Sequence, residues 1–502
     1  MSKSQKFSAE VTQDEDFPRW YKDTITKGEL LDYHDINGCY ALRPNAMVMW
    51  NVVKEHFTRK IEQIGVREAY FPLLVSKQAL EKEKEHIADF APEVAWITEC
   101  GGKKLENPVA IRPTSETIIY PYFAKWIHSH RDLPMKVNQW CNVLRWETTQ
   151  TMPFIRGREI LWQEGHTAHL LNEEADREVY HILELYAEVY EHLLAVPVIR
   201  GKKSRKETFA GAEYTTTVEA FIPATGKGVQ GATSHSLGTN FSRMFDIKVE
   251  DPKNPGNFVY AYQNSWGLTT RSLGVCILTH SDNHGLVLPP NIAPVQVVVV
   301  VCGVVKSVGE EEKKQLFEAA VEIEKELEAA KIRVKSDLTQ NTTPGQKFNH
   351  WEVRGVPLRI EIGPKDMKKK EASVVWRSDR TRKSIPLEGI TEMVRKELAT
   401  IQSTMYHKAR TLRDAALVSV SGIEELMSAL KSKKMAYAQW CGEEKCEESI
   451  KARTTEKDEE GKVVAVGAKT LCIPFHAPVP VEGSCIGCAE KSSCIGLFGR
   501  CY

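Results

Sequence analysis

The sequence predicts an α+β unit of antiparallel strands and helices over residues 1–285. An α/β unit follows over 286–400, and a small cysteine-rich α/β unit over 401–502. Three observations carry that reading. From Asn142 to His169, two runs of period two flank a Thr-, Gln-, Pro- and Gly-bearing segment, the pattern of two strands joined by a long hairpin loop. From Val297 onward, short apolar runs interleave with helical patterns over about a hundred residues, as in a small α/β domain. Seven of the twelve cysteines stand at Cys441 or beyond.

Length and charge narrow the class. A chain of 502 residues can form several domains, each with its own core. Lys plus Arg and Asp plus Glu number 67 each, so any polyanion site must be local. The opening MSKSQKFSAE is polar, unlike a signal peptide. The longest apolar run, Val295 to Val305, contains Gln296 and falls short of the roughly 20 residues a bilayer needs. A soluble cytoplasmic chain with no membrane partner is expected. In such a compartment a terminal cysteine cluster suggests metal rather than disulfides.

Taken in order, Ala46 to Ile64 carries apolar residues at helical spacing, and Gly65 suits a left-handed cap. Val66 to Val75 is β-rich but holds Pro72, which belongs on an edge strand or a break. Ile111 to Thr117 reads as a strand passing through a turn into a helix that runs to Ser129, with Pro121 tolerable only near its first turn. Thr114 and Ser115 there fit plain helix caps as well as a site, and Glu116 is favoured by the helix dipole.

The Asn142–His169 stretch is the centre of interest. Alternation puts Val143, Arg145 and Glu147 on one strand face, and Ile160, Trp162, Glu164 and His166 on another, with Arg156 in the loop between. Charges on a buried sheet face cost on the order of several kcal/mol each unless paired or liganded. A solvated, ion-paired face is the bland reading. Trp162 beside Glu164 and His166 favours a ligand pocket.

Glu207 to Ile222 alternates like an antiparallel strand. Gly226-Lys-Gly-Val-Gln-Gly231 matches the G-x-G-x-x-G dinucleotide pattern, but no βαβ unit surrounds it and a polar segment follows. Its glycines are expected instead to bring backbone close to a ligand faced by Gln230, Thr233 and His235. Thr269 or Thr270 would cap a helix whose first turn holds Arg271, a ready anion site. Gly and Pro between His280 and Pro294 mark a domain boundary. Beyond it come strands at Val297–Val301, Ile332–Val334, Leu358–Ile362 and Ser373–Trp376, with helices at Glu310–Lys331, Ile390–Thr411 and Ile423–Lys431.

In this order the segments resemble a class II aminoacyl-tRNA synthetase, specifically the prolyl-tRNA synthetases of eukaryotic and archaeal type, over nearly the whole chain. Gly65 to Pro72 resembles motif 1, Arg145-Trp-Glu147 through Arg156 motif 2, and Leu268 to Gly274 motif 3. Arg112-Pro-Thr-Ser-Glu116, Trp162-Gln-Glu-Gly-His166 and Phe209-Ala-Gly-Ala are similar to the proline-enzyme signatures. Neither HIGH nor KMSKS occurs, and Glu164 to Gln230 is too short for a large editing insertion.

The resemblance implies an antiparallel catalytic sheet flanked by helices, an anticodon-binding domain and a zinc-binding tail. It implies catalytic roles for Arg145 and Arg271. Thr114, Glu116, Arg145, Trp162, Glu164, His166, Phe209 and His235 would bind proline. Arg145, Glu147, Arg156, Gln230, Thr233 and Arg271 would bind ATP, with Mg²⁺ among the phosphates. Zinc would sit on Cys441, Cys446, Cys485 and Cys488, with Cys472 in the core and Cys494 and Cys501 as competing thiols. Further implications are tRNA(Pro) as partner, read by Thr342–Glu352 with Arg359, Glu361 and Lys365, and a homodimer through motif 1. The terminal carboxylate is expected near the catalytic domain. Rival readings are another amino-acid-adenylating class II enzyme and an inactive RNA-binding paralogue; intact Arg145, Glu147 and Arg271 argue against the second. A zinc-finger transcription factor would explain the tail alone.

Overall fold

The computed structural model describes residues 10–86, 94–305, 308–340 and 342–502; the polar N-terminal run read above lies outside them through Ala9. Strands of the two large sheets are numbered in chain order. Helix α1 (Pro44–Glu62) starts on a proline at its first position and is followed by Gly65 at φ +83°, the left-handed residue expected there. Then come β1 (Arg67–Glu68), α2 (Glu116–Trp126), β2 (Met135–Leu144), β3 (Glu159–His169), α3 (Asn172–Glu188), β4 (Val198–Lys202), β5 (Tyr214–Ile222), β6 (Lys227–Gly238), β7 (Tyr262–Thr269) and α4 (Arg271–His280). Pro121 sits inside α2 rather than near its start, so the helix runs through it with one N–H donor fewer. Pro72 lies in neither neighbouring strand, a break beyond β1.

The α/β unit holds β8 (Val297–Val301), α5 (Glu310–Ala329), β9 (Val334–Asp337), α6 (Pro344–Val353), β10 (Leu358–Ile362), β11 (Glu371–Trp376), β12 (Arg382–Pro386) and α7 (Ile390–Ala415). Its sheet has the order β9-β8-β10-β11-β12, parallel for the first three strands and antiparallel after. All five valines of β8 are buried, as a central strand covered on both faces requires. The candidate anticodon-reading segment, Thr342–Glu352, is mostly helix α6, because Thr343 and Gln346 form a capping box at its start.

The remaining elements are β13 (Leu417–Val420), α8 (Ile423–Lys431), β14 (Met435–Trp440), α9 (Glu444–Arg453), β15 (Lys469–Pro474) and β16 (Cys494–Cys501). They do not form a separate sheet. One eleven-stranded sheet runs β13-β14-β16-β15-β4-β5-β6-β7-β3-β2-β1, joining tail and catalytic strands edge to edge. The seam is β15 against β4 at Ile473–Lys202, plus β16 against the start of β6 at Arg500–Lys227. A buried ion pair reinforces it: Lys203 Nζ donates to Glu219 Oε1 at 2.7 Å and to the Leu471 carbonyl at 2.8 Å. Behind the catalytic sheet, Trp50, Phe57, Tyr186, Tyr190 and Trp266 pack into one apolar core with α1, α3 and α4.

Among the described residues, no helix is long and apolar enough to cross a membrane.

Candidate active site

The site grows out of the β2–β3 hairpin. Register pairs Val143 with Ile160, Cys141 with Trp162, Gln139 with Glu164 and Val137 with His166, so these eight side chains share one face. The expected alternation on β3 is present. On the first strand it is shifted: β2 ends at Leu144, and Arg145 and Glu147 lie in the turn beyond it rather than on the strand face. The reason is local, since Arg145 N–H bonds the Arg158 carbonyl at 2.7 Å and closes the loop.

That loop is ordered by burial. Met152 and Arg156 exchange backbone hydrogen bonds, Phe154 and Ile155 enter the core, and Tyr21 donates to the Pro153 carbonyl at 2.9 Å. An apolar tip anchored in this way holds Arg156 at a fixed height above the sheet.

A cavity of about 230 Å³ lies over this face. Its lining gathers Thr114, Glu116, Glu164, His166 and Glu207 with Arg145, Gln230, Thr233 and Arg271, and the rings of Trp162, Phe209 and His235. Arg145 and Arg271, from the hairpin turn and the start of α4, therefore open into one space. Arg156 lines an adjoining cavity with Arg271, and Glu147 is exposed outside both. Strand β7 completes the floor with Ser265, Trp266 and Gly267, which the sequence reading had not singled out.

The acids are pre-bonded. Thr114 donates to Glu116, both buried. Glu164 Oε1 accepts from Ser115 Oγ at 2.5 Å and Gln139 Nε2 at 2.6 Å, while Oε2 faces His166 Nε2 at 3.0 Å. Because the carboxylate can only accept, His166 carries its proton on Nε2, and Nδ1 accepts from Tyr120 Oη at 3.0 Å. Burial opposes ionisation of Glu164, but His166, Ser115 and Gln139 outweigh it and hold the carboxyl below its ordinary range. Cys141 is pushed up to about 12 by burial and by Glu164, an inert thiol.

His235 is neutral: burial, with His166 nearby, pushes it down to about 3. Its ring nitrogens meet Thr215 Oγ1 at 2.8 Å and Thr233 Oγ1 at 3.0 Å, and the ring packs on Phe209 with centroids 4.8 Å apart.

Arg271 donates to the Ile155 carbonyl at 3.0 Å and the Gln230 carbonyl at 3.2 Å, and Thr269 Oγ1 accepts its N–H. Burial lowers its basicity, as do the neighbouring charges of Arg145 and Arg156, partly offset by Tyr190 and Glu219. An anion between the guanidiniums would relieve that repulsion. Arg145 donates to the Pro113 carbonyl at 3.3 Å and lies 5.4 Å from the Trp162 ring centroid.

The glycines of 226–231 make room for the protein's own atoms, and Gly231 also lines the cavity. A Cβ on Gly226 would strike the Lys433 backbone at 2.4 Å, one on Gly228 the Leu471 side chain at 2.6 Å, and one on Gly231 the Tyr190 ring at 2.7 Å. Close packing of the tail and α3 region on β6 requires them.

In the tail, the sulfurs of Cys441, Cys446, Cys485 and Cys488 all lie within 4.8 Å of one another, with Cys446–Cys485 at 3.4 Å and Cys441–Cys488 at 3.7 Å. A tetrahedral S₄ zinc site with bonds near 2.3 Å has sulfurs roughly 3.8 Å apart, so the set fits that ion. Burial opposes a thiolate at Cys485, but the backbone N–H groups of Gly487 and Cys488 outweigh it and bring the thiol down to about 7. Cys472 is fully buried, and Cys494 and Cys501 sit on β16 outside the cluster.

Of the expected anticodon readers, Arg359 is held by Glu352 at 2.8 Å and Glu361 at 2.9 Å and stacks on Phe348, whereas Lys365 is exposed.

Comparison with known proteins finds matches over three stretches of the chain. Residues 98–280 match the tRNA synthetase class II core domain (G, H, P, S and T), 296–397 an anticodon binding domain, and 423–502 the C-terminal domain of prolyl-tRNA synthetase. A proline–tRNA ligase of Encephalitozoon cuniculi is 52% identical, covering 99% of each chain. The cytoplasmic proline–tRNA ligase of Arabidopsis thaliana is 48% identical over 98% of this chain and 90% of its own. The prolyl-tRNA synthetase of Cryptosporidium parvum in complex with halofuginone and AMPPNP superposes with TM-score 0.92 at 46% identity, covering 99% of this chain and all of that one. The same enzyme with L-proline and AMP superposes at 0.90. With near-complete coverage at this identity, the chain belongs to the proline–tRNA ligase family of class II aminoacyl-tRNA synthetases.

Proposed function

We propose that this chain activates L-proline with ATP to prolyl-adenylate, releasing pyrophosphate, and transfers proline to the 3′ end of tRNA(Pro). The carrying observation is a single cavity whose lining includes both buried acids and two guanidiniums from separate elements. That lining suits a zwitterion whose ammonium faces Thr114 and Glu116 and whose carboxylate faces Arg145. Trp162 and Phe209 wall the ring, and Glu164, His166 and His235 complete the pocket. Arg145 bridges the proline carboxylate and the α-phosphate, while Arg271 holds phosphate oxygens. Arg156 adds charge from the loop, and Glu147, Gln230 and Thr233 serve the nucleotide.

The proline carboxylate oxygen attacks the α-phosphorus, the bond to the β-phosphate bridging oxygen breaks, and pyrophosphate leaves. The 3′-terminal hydroxyl of tRNA then attacks the adenylate carbonyl and AMP departs. No side chain serves as nucleophile; positioning and fixed charge lower the barrier. The phosphates would carry Mg²⁺ with ATP, which when bound would offset part of their charge beside Arg145 and Arg271.

Residues 1–285 provide the chemistry and 286–400 the anticodon contact. Within 401–502, Cys441, Cys446, Cys485 and Cys488 would hold zinc, which supplies a closed structural cross-link when bound. The exposed edge beyond β1, with Tyr70 80% exposed, supports a homodimer. A cytoplasmic location accords with the naming of the Arabidopsis relative. The test is pyrophosphate exchange into ATP with a panel of amino acids: proline alone should drive it, and equal exchange with another amino acid overturns the assignment.

A further inference from the structure

We propose that Gln139 is a positioning residue for proline selection: it holds the Glu164 carboxylate turned onto His166 and so sets the affinity of the pocket for the imino acid. The inference rests on reading the cavity as a proline site. Gln139 does not line that cavity; it acts through Glu164, its directly opposed partner across β2 and β3. Both residues are buried, at 1% and 3% exposure.

Every polar atom of the amide is engaged. Nε2 donates to Glu164 Oε1 at 2.6 Å and to Ser115 Oγ at 3.1 Å; Oε1 accepts from the Phe71 N–H at 3.2 Å. The orientation is unambiguous, since a carboxylate oxygen only accepts and a backbone N–H only donates. Ser115 in turn donates to the same Glu164 oxygen at 2.5 Å, leaving Oε2 for His166. An ionised carboxylate at this depth persists only with such donors, and each lost donor favours the protonated form or a rotated carboxylate.

The far end of the amide reaches the segment beyond β1. Arg112 grips that segment too, donating from Nη1 to the Phe71 carbonyl at 3.0 Å and the Pro72 carbonyl at 3.3 Å. Gln139 thus ties the edge of the sheet to the floor of the pocket. The titratable or charged groups around this point are Glu164, His166 and Cys141 on the strands, Arg112 before α2, and Glu116 and Tyr120 on α2.

Gln139→Met keeps length and volume but removes donor and acceptor; Gln139→Glu supplies a carboxyl that offers both while protonated, but once ionised keeps only the acceptor for the Phe71 N–H and repels Glu164. Repulsion from Glu164 raises the pKa of the introduced carboxyl. Steady-state pyrophosphate exchange is measured from pH 6 to 9, with ATP binding and circular dichroism as folding controls.

For Q139M, KM for proline should rise about tenfold or more while KM for ATP stays within about twofold. For Q139E, proline KM should approach that of the unsubstituted enzyme at the acid end and climb as pH rises, a slope the unsubstituted enzyme lacks. Should Q139M fail to fold, the Q139E profile decides alone. Proline KM unchanged in both variants across the range, or proline and ATP KM rising together without pH dependence, overturns the inference. Absence of proline-dependent exchange in the unsubstituted enzyme would instead refute the proline reading itself.

Discussion

The Arg156 guanidinium donates to the backbone oxygen of Tyr502 at 2.7 Å, so the loop carrying Arg156 is held by a residue 346 positions away. Tyr502 is itself fixed by its hydroxyl on Thr225 Oγ1 at 3.0 Å and by Lys227 Nζ 4.7 Å from its ring centroid. Tyr502→Ala should therefore loosen Arg156 and raise KM for ATP roughly three- to tenfold, with proline KM nearly unchanged. Exchange kinetics at varied ATP check this; an unaltered ATP KM would mean the contact carries no nucleotide affinity.

Arg145→Ala should abolish proline-dependent exchange, with a loss of about 10² or more in kcat/KM, as for other preorganised charge donors. The fold should survive, because the side chain bonds the protein only through Nε to Pro113 among the described residues. Circular dichroism and exchange rates separate the two effects, and persistence of exchange would dismiss Arg145 from the chemistry.

Zinc should be found at about one ion per chain by elemental analysis, as a closed S₄ site implies. Because β14, β15 and β16 continue the catalytic sheet, Cys485→Ser should lower the melting temperature of the catalytic unit as well as the tail. Zinc-free protein with unchanged melting would contradict both expectations.

For the anticodon unit, Lys365→Glu should reduce tRNA charging while sparing pyrophosphate exchange, since Lys365 is exposed. Arg359→Glu is a different experiment. It would place a third carboxylate beside Glu352 and Glu361 and strip Phe348 of its guanidinium, destabilising the domain by about 3–5 kcal/mol. Thermal melting and parallel charging and exchange assays distinguish the two variants.

Glu178 carries a pH prediction. Burial opposes its ionisation, but His169, Lys136 and Thr167 outweigh it and hold the carboxyl down at about 2, below its ordinary 4.5. A depressed carboxylate contributes stability above the unfolded value and loses it as pH falls toward the folded value. Glu178→Gln should thus flatten the acid limb of the stability profile between about 4.5 and 2. Denaturant melts across that window are the measurement, and an unchanged slope would count against it.

Much of the site was legible because it is local. The Ile160, Trp162, Glu164, His166 alternation sits within one strand, and motif spacing placed Thr114, Glu116 and Arg271. Gln139 and Cys141 were missed because the first strand was begun at Asn142; extending the same alternation backward from Val143 reaches both. What fills the Cβ space of Gly226, Gly228 and Gly231, namely Lys433, Leu471 and Tyr190, lies far off in sequence and leaves no local signal.

By itself, then, the sequence determined local features such as the alternation along β3 and the left-handed Gly65 after α1, since period, caps and prolines act over a few residues. Only the tertiary structure decided that the tail joins the catalytic sheet and that Arg359 is spent on internal pairs while Lys365 stays free to solvent. Those outcomes depend on long-range strand pairing and on competition among buried groups for partners, which no local pattern encodes.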